Sequence, residues 1–239
     1  MLAGSPSIVA EKPPTFLMKK AVFLDRDGVI NEIVYHSEMG IVDSPFTAQQ
    51  FQLLPRVAEG IRLLQQSRFK VFVVSNQPGL AKKHFTQETL NQINRKMIRL
   101  LKRKEVRLDG IYYCTHHPQA KLKRYRKVCD CRKPEPGLLL GAAREWNIAL
   151  AESYMIGDGV PDIQAGKAAG CRTVFVGSWK CDICRVMERH EIRPDGVASD
   201  LWEAALRILE WEARSPRDGF LSGTLARPSR PEASTACGR

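Results

Sequence analysis

The stretch "FLDRDGVIN", Phe23–Asn31, closes an apolar run on two acids one residue apart. Acids are poor strand residues, and two so close repel each other. The run itself, "AVFLD" (21–25), is short and apolar to its last residue, as a strand buried on both faces would be. Read alone, Asp25-Arg26-Asp27-Gly28 is a polar turn. Read with the rest of the chain, it is the first of several polar groups placed at strand ends.

Outward from this stretch the pattern repeats. Val57, Ile61 and Leu64 in "VAEGIRLLQQS" have helical spacing, and "FKVFVVSN" (69–76) reads as a second buried strand. Thr86 is placed to cap a helix whose apolar stripe is Leu90, Ile93, Met97 and Leu101. "DGIYYC" (109–114), "SYMIGD" (153–158) and "CRTVFVG" (171–177) predict further strands. "GLLLGAAREWN" (137–147) and "VPDIQAGKAAG" (160–170) predict the helices between them. "SDLWEAALRILEWEA" (199–213) predicts a last amphipathic helix, capped by Ser199, with Leu201, Ala205, Leu206 and Leu209 on one face. Strands alternating with helices imply an α/β fold with a doubly wound, Rossmann-like parallel sheet.

In open α/β sheets ligands bind beyond the carboxyl ends of the strands. There the expected strands place Asp25, then Ser75-Asn76, then Asp158, with Lys133 in the segment between the third and fourth. These residue types suit phosphoryl transfer. A carboxylate can attack phosphorus and form an acyl-phosphate, but it repels a phosphate dianion. A bridging Mg²⁺, bound by carboxylate oxygens, relieves that repulsion. Lys133, Ser75 and Asn76 can hold the remaining phosphate oxygens.

Four ordered motifs, "FLDRDGVIN", "VVSNQ", "CRKP" and "GDGVPD", resemble those of the haloacid dehalogenase superfamily of aspartate-nucleophile phosphatases. "SNQPGLAKKHFT", "DGIYYCTHHPQ" and "YRKVCDCRKPEPGLL" resemble one family within it, the D-glycero-D-manno-heptose 1,7-bisphosphate 7-phosphatases, relatives of histidinol phosphatases. The resemblance runs from about Ala21 to Gly177. It implies Asp25 as nucleophile and Mg²⁺ ligand. Asp27 is implied as general acid and then base, with its backbone carbonyl on Mg²⁺. Ser75 and Asn76 would grip the phosphoryl group, Gln77 would lie near the sugar, and Arg132 would recognise substrate. Lys133 would stabilise the phosphoryl group and Asp158 would complete the Mg²⁺ site. Asp162 would brace the loop rather than bind metal. The family commonly has a lysine after the acid of the "GD" motif, where this chain has Gly159; Lys82 and Lys83 are candidates to replace its charge.

Three thiols and an imidazole flank a short loop: Cys114 and His116 in "CTH", Cys129 and Cys131 in "CDC". Cys₃His is a tetrahedral zinc complement with no open position, so the expected role is structural. Zinc would fasten the ends of loop 117–128, whose "KLKRYRK" cannot order itself by burial, and would set Arg132-Lys133 beside the site. The family's zinc loop has the same C-x-H…C-x-C pattern. Cys181 and Cys184, with C-x₂-C spacing, read as ordinary thiols.

Seven cysteines in 239 residues do not make a disulfide scaffold. The first residues lack the basic and apolar regions of a secretory signal, and no apolar run reaches the roughly 20 residues that span a bilayer. The expected location is cytoplasmic. The net charge of +11 is concentrated: residues 82–133 carry +12 and the remainder −1. That favours a local anionic ligand over a uniformly basic, nucleic-acid-binding protein.

The expected layout is a flexible lead-in over 1–18, with translation starting at Met18. A phosphatase domain over 19–213 follows, with 178–198 as an unassigned insertion, and then a disordered tail over 214–239. The gaps between motifs leave no room for a full cap domain, so an open site is expected. The functional expectation is Mg²⁺-dependent removal of the 7-phosphate from a heptose 1,7-bisphosphate, in nucleotide-activated heptose biosynthesis. The alternatives are a histidinol-phosphate or nucleic-acid 3′-phosphate phosphatase, or a non-catalytic basic module. The partner is a small phosphorylated sugar, with no membrane; a monomer is compatible with the pattern.

Overall fold

The computed structural model describes residues 18–177, 187 and 191–214. Six strands form one parallel sheet in the order β5-β4-β1-β6-β7-β8: β1 (Ala21–Leu24), β4 (Lys70–Asn76), β5 (Gly110–Cys114), β6 (Tyr154–Gly157), β7 (Arg172–Val176) and β8 (Gly196–Ala198). Two shorter strands, β2 (Val34–His36) and β3 (Ile41–Asp43), pair as an antiparallel hairpin after the first motif.

The alternating side chains of the sheet divide the core in two. Val22, Leu24, Val71, Val73 and Ile156 face α1 (Val57–Gln66), α3 (Gln87–Arg103) and a C-terminal helix, α6 (Leu201–Arg214). Ala21, Phe23, Phe72, Val74 and Met155 face α4 (Gly137–Trp146) and α5 (Val160–Ala168). Both faces of β1 are covered, which is why its sequence is apolar at every position rather than alternating. A short helix, α2 (Gly79–Lys82), follows β4 directly.

The α3 stripe is buried as its spacing predicts, and Thr86 Oγ1 accepts the Thr89 N–H at 3.1 Å as the cap. The last helix differs in two details. Asp200, not Ser199, caps it: Asp200 Oδ1 accepts the Glu203 N–H at 2.8 Å, while Ser199 bonds the Glu203 carboxylate. Its buried face is Leu201, Ala204, Ala205 and Ile208, and Leu206 is 40% exposed. The spacing i, i+3, i+4, i+7 is the better helical fit.

The 178–198 segment ends in β8, which adds a sixth strand beside β7. Cys181 and Cys184, residues 1–17 and residues 215–239 lie outside the described residues. Among the described residues no helix is long and apolar enough to cross a membrane.

The strand order fixes the site. From β1 the chain moves to one side through β4 and β5, then crosses back to place β6 on the other side. The loops after β1 and its two neighbours therefore diverge and open a crevice at the carboxyl edge of the sheet.

Candidate active site

β1 ends at Leu24, one residue before Asp25, whose N–H still donates to Ile156 O at 2.9 Å. That ladder bond holds Asp25 over the crevice. Asp27 lies in the following turn rather than in the strand, so turn geometry, not strand period, sets its direction. The turn needs Gly28, which has φ +81°. A Cβ there would run into the Asp158 carboxylate, so the glycine lets the β1 and β6 loops close on each other.

Lys133 arrives from the segment before α4. Asn76 at the end of β4 fixes its backbone: the Asn76 amide donates to Lys133 O at 2.9 Å, and Lys133 N–H donates to Asn76 Oδ1 at 3.0 Å. The ammonium, 2% exposed, meets Asp25 Oδ1 at 2.9 Å, Asp162 Oδ1 at 2.5 Å and Val74 O at 2.8 Å. An ammonium has three donors, and all three are used. Burial alone would lower the Lys133 pKa, but the Asp162 and Asp25 charges hold it above its ordinary value.

Asp162 does more than brace its loop. Its Oδ2 accepts the Gly159 N–H at 3.0 Å, as the brace requires, but its Oδ1 reaches Lys133. Carboxylate oxygens of Asp25, Asp158 and Asp162 all lie within 4.8 Å of one another. Octahedral Mg²⁺, with oxygens at about 2.1 Å, separates its ligands by about 2.9–4.2 Å, so this all-oxygen set fits it. The i, i+4 spacing of Asp158 and Asp162 was the available sequence signal.

The electrostatics point the same way. Burial, then the charges of Asp25 and Asp162, push Asp158 up to about 8. Burial also raises Asp162, to about 6, against the pull of Lys133. The metal-free native state therefore keeps a proton on Asp158 far above 3.8, where the unfolded chain loses it. Between those values the native state binds more protons than the unfolded one, so this group makes stability fall as pH rises. A bound dication reverses the penalty. The rise in melting temperature on adding Mg²⁺ should accordingly be larger at pH 8 than at pH 6; an equal or smaller rise at pH 8 would contradict it.

Asp27 is held differently. Arg26 Nε and Nη2 donate to its Oδ1 at 3.2 and 3.1 Å, and Nη2 also reaches Oδ2 at 3.1 Å. Gln77 Nε2 donates to Oδ2 at 2.7 Å, and Asn31 Nδ2 to Oδ1 at 3.0 Å. Gln77 is fully buried and also donates to Ser75 Oγ at 3.2 Å. Its amide is thus bonded within the protein, to Asp27, Ser75 and Arg26. The Asn76 side-chain amide holds the Lys133 backbone, which leaves its main chain for the crevice. Ser75 is 1% exposed beneath the same group. Arg132 Nη1 donates to His116 O at 3.2 Å, which ties Arg132 to the cysteine loop.

The four expected zinc donors converge. Cys131 Sγ lies 3.3 Å from both Cys114 Sγ and Cys129 Sγ, Cys114 and Cys129 are 3.6 Å apart, and His116 Nδ1 is 3.4 Å from Cys131. A tetrahedron with Zn–S about 2.3 Å has edges of about 3.8 Å, so the cluster fits zinc after slight expansion. All three thiols are free. Protein purified without chelator should carry about one zinc per chain, and Cys131→Ser should lower that content together with thermal stability. Zinc near zero in the parent protein would refute the site.

The HAD-hydrolase-like family model matches residues 130–204. The D-glycero-β-D-manno-heptose-1,7-bisphosphate 7-phosphatase of Escherichia coli K12 is 42% identical over 153 residues, which span 64% of this chain and 76% of that protein. The chain belongs to the D-glycero-D-manno-heptose 1,7-bisphosphate 7-phosphatase family. A second member, from Photorhabdus laumondii, is 43% identical over 149 residues, 62% of this chain and 75% of that one. The D,D-heptose 1,7-bisphosphate phosphatase from B. bronchiseptica, solved with magnesium and phosphate, superposes with a TM-score of 0.66 at 31% identity. That superposition covers 80% of this chain and 99% of the other.

Proposed function

We propose that the protein is a Mg²⁺-dependent phosphatase that removes the 7-phosphate of D-glycero-D-manno-heptose 1,7-bisphosphate, in cytoplasmic synthesis of nucleotide-activated heptose. The observation that carries this reading is the joint placement of Asp25, Lys133, Asp158 and Asp162 in one crevice, in a chain of this family.

Asp25 attacks phosphorus, and the bond to the C7 oxygen breaks. Asp27 gives that oxygen its proton, so the sugar leaves as an alcohol. Water then attacks the phosphoryl group on Asp25. Asp27 takes the water's proton, inorganic phosphate departs, and the Asp25 carboxylate is restored. Lys133 neutralises charge on the transferring oxygens throughout. Asp25, Asp158, Asp162 and the Asp27 carbonyl would hold Mg²⁺, which when bound would supply the positive charge that lets a carboxylate approach a phosphate dianion. Ser75 and the main chain at Asn76 border the phosphoryl position, and Arg132 stands on the sugar side. Zinc in the Cys₃His cluster keeps the Arg132-Lys133 segment in place. The site is open, with the second phosphate outside it near the basic segment.

The test is phosphate release, with Mg²⁺ and with EDTA. The substrates are both anomers of the heptose bisphosphate, fructose 1,6-bisphosphate, histidinol phosphate and a 3′-phosphorylated oligonucleotide. Highest kcat/KM on a heptose anomer, abolished by EDTA and restored by Mg²⁺, is expected. Preference for the oligonucleotide or for histidinol phosphate would overturn the assignment.

A further inference from the structure

Arg26 is the largest fully buried side chain described, at 0% exposure. Burying a guanidinium is costly unless its charge is met, and an apolar residue would pack the position without that cost. Among the described residues its one carboxylate partner is Asp27. Its Nη2 also donates to Gln77 Oε1 at 2.8 Å. The Gln77 amide then donates back to Asp27 Oδ2, so guanidinium, amide and carboxylate close a ring of hydrogen bonds.

This ring has a rigid backing. The Tyr113 ring, on β5, lies against the Arg26 guanidinium at 5.5 Å from its centroid. Tyr113 donates from its hydroxyl to Asn94 Oδ1, on α3, at 2.8 Å. Gln77 is anchored just beyond β4 by its N–H, which donates to Cys114 O at 2.7 Å. One carboxylate is thus aimed by groups from α3, β5 and the end of β4.

We propose that Arg26 and Gln77 are positioning residues for Asp27, fixing the plane of its carboxylate so that it faces the leaving oxygen and then the hydrolytic water. The inference rests on the role given to Asp27 above. It differs from a merely structural ion pair in one respect: loss of the ring should slow the proton-dependent steps alone. A p-nitrophenolate departs without a proton, whereas a phenolate is helped by one and a sugar alkoxide needs one.

The experiment measures kcat and kcat/KM for heptose 1,7-bisphosphate, phenyl phosphate and p-nitrophenyl phosphate, with Mg²⁺, in wild type, Arg26→Lys and Gln77→Met. In the variants, kcat/KM for the sugar should fall on the order of 10²-fold and that for phenyl phosphate by less. For p-nitrophenyl phosphate kcat/KM should hold while kcat falls, because Asp27 must still activate water. A burst of p-nitrophenolate, one per active site, should then precede slow turnover. If Arg26→Lys does not fold, Gln77→Met, which keeps the guanidinium, carries the test. Equal losses on all three substrates, or none, would overturn the proposal. Wild-type hydrolysis of the aryl phosphates but not of the sugar would strike the substrate assignment and leave the positioning role tested. A wild type inactive on all three would remove the catalytic reading and this inference with it.

Discussion

Asp25→Asn should lower phosphate release by about 10⁴-fold or more, the scale on which an enzyme loses its nucleophile. An amide cannot form the acyl-phosphate, and no other carboxylate replaces Asp25. Asp158 and Asp162 are held by the β6 loop, and Asp27 is tied to Arg26 and Gln77. Folding should survive. The substitution keeps the shape of the side chain; it removes one of the charges that raise Asp158 but also one of the two carboxylates that meet buried Lys133, which keeps Asp162, so the metal-free protein should lose less stability than Lys133→Met does. Turnover lost in a protein that still melts cooperatively is the signature of a catalytic role. Turnover within tenfold of wild type would exclude covalent catalysis at Asp25.

The second large effect is expected at Lys133. Its ammonium stands between Asp25 and Asp162 with almost no exposure, and its three protons are all bonded. Lys133→Met fills the same space and leaves buried carboxylates facing one another. Breaking a buried ion pair by removing one partner costs about 3–5 kcal/mol. Urea denaturation of the metal-free variant should show a loss of that order, and Mg²⁺ should recover more of it than it adds to wild type. Turnover should fall by about 10²–10³-fold with Mg²⁺ saturating, the size of effect seen when one preorganised transition-state partner is lost. A stability change below about 1 kcal/mol would mean that the carboxylates do not rely on this cation.

The sheet was readable because its inner strands are buried on both faces. Continuous runs such as "AVFL" and "KVFVV" have no other economical explanation in a chain punctuated by helical stripes. The site was readable because the fold rule for strand ends gathers residues far apart in sequence. Asp25 and Lys133 are 108 residues apart yet in contact, with Nζ 2.9 Å from Oδ1. The Cys₃His cluster was readable from its residue types and its C-x-H…C-x-C spacing.

What escaped the sequence had weak local signals. β2 and β3 are three residues each and pair Tyr35 with Val42, 65% and 59% exposed, and the buried residue of β2 is a histidine, so no apolar alternation marks them. β8 is also three residues and is recognisable only beside β7. The Asp162 brace is present, through the Gly159 N–H; its other oxygen reaches a partner 29 positions upstream, which no local pattern marks. The bond from Gln77 to Asp27 depends on a contact across 50 residues, which no local pattern marks. Burial, which sequence position does not reveal, turned Gln77 inward.

The central claim concerns which phosphate leaves. Phosphorus NMR of heptose 1,7-bisphosphate incubated with the protein and Mg²⁺ reads this directly. Loss of the C7 phosphomonoester signal is expected, matched by inorganic phosphate, with the anomeric C1 phosphate intact and no change in the Asp25→Asn protein. Loss of the C1 phosphate first, or a substrate unchanged under conditions where the wild type is folded and loaded with zinc, would contradict it.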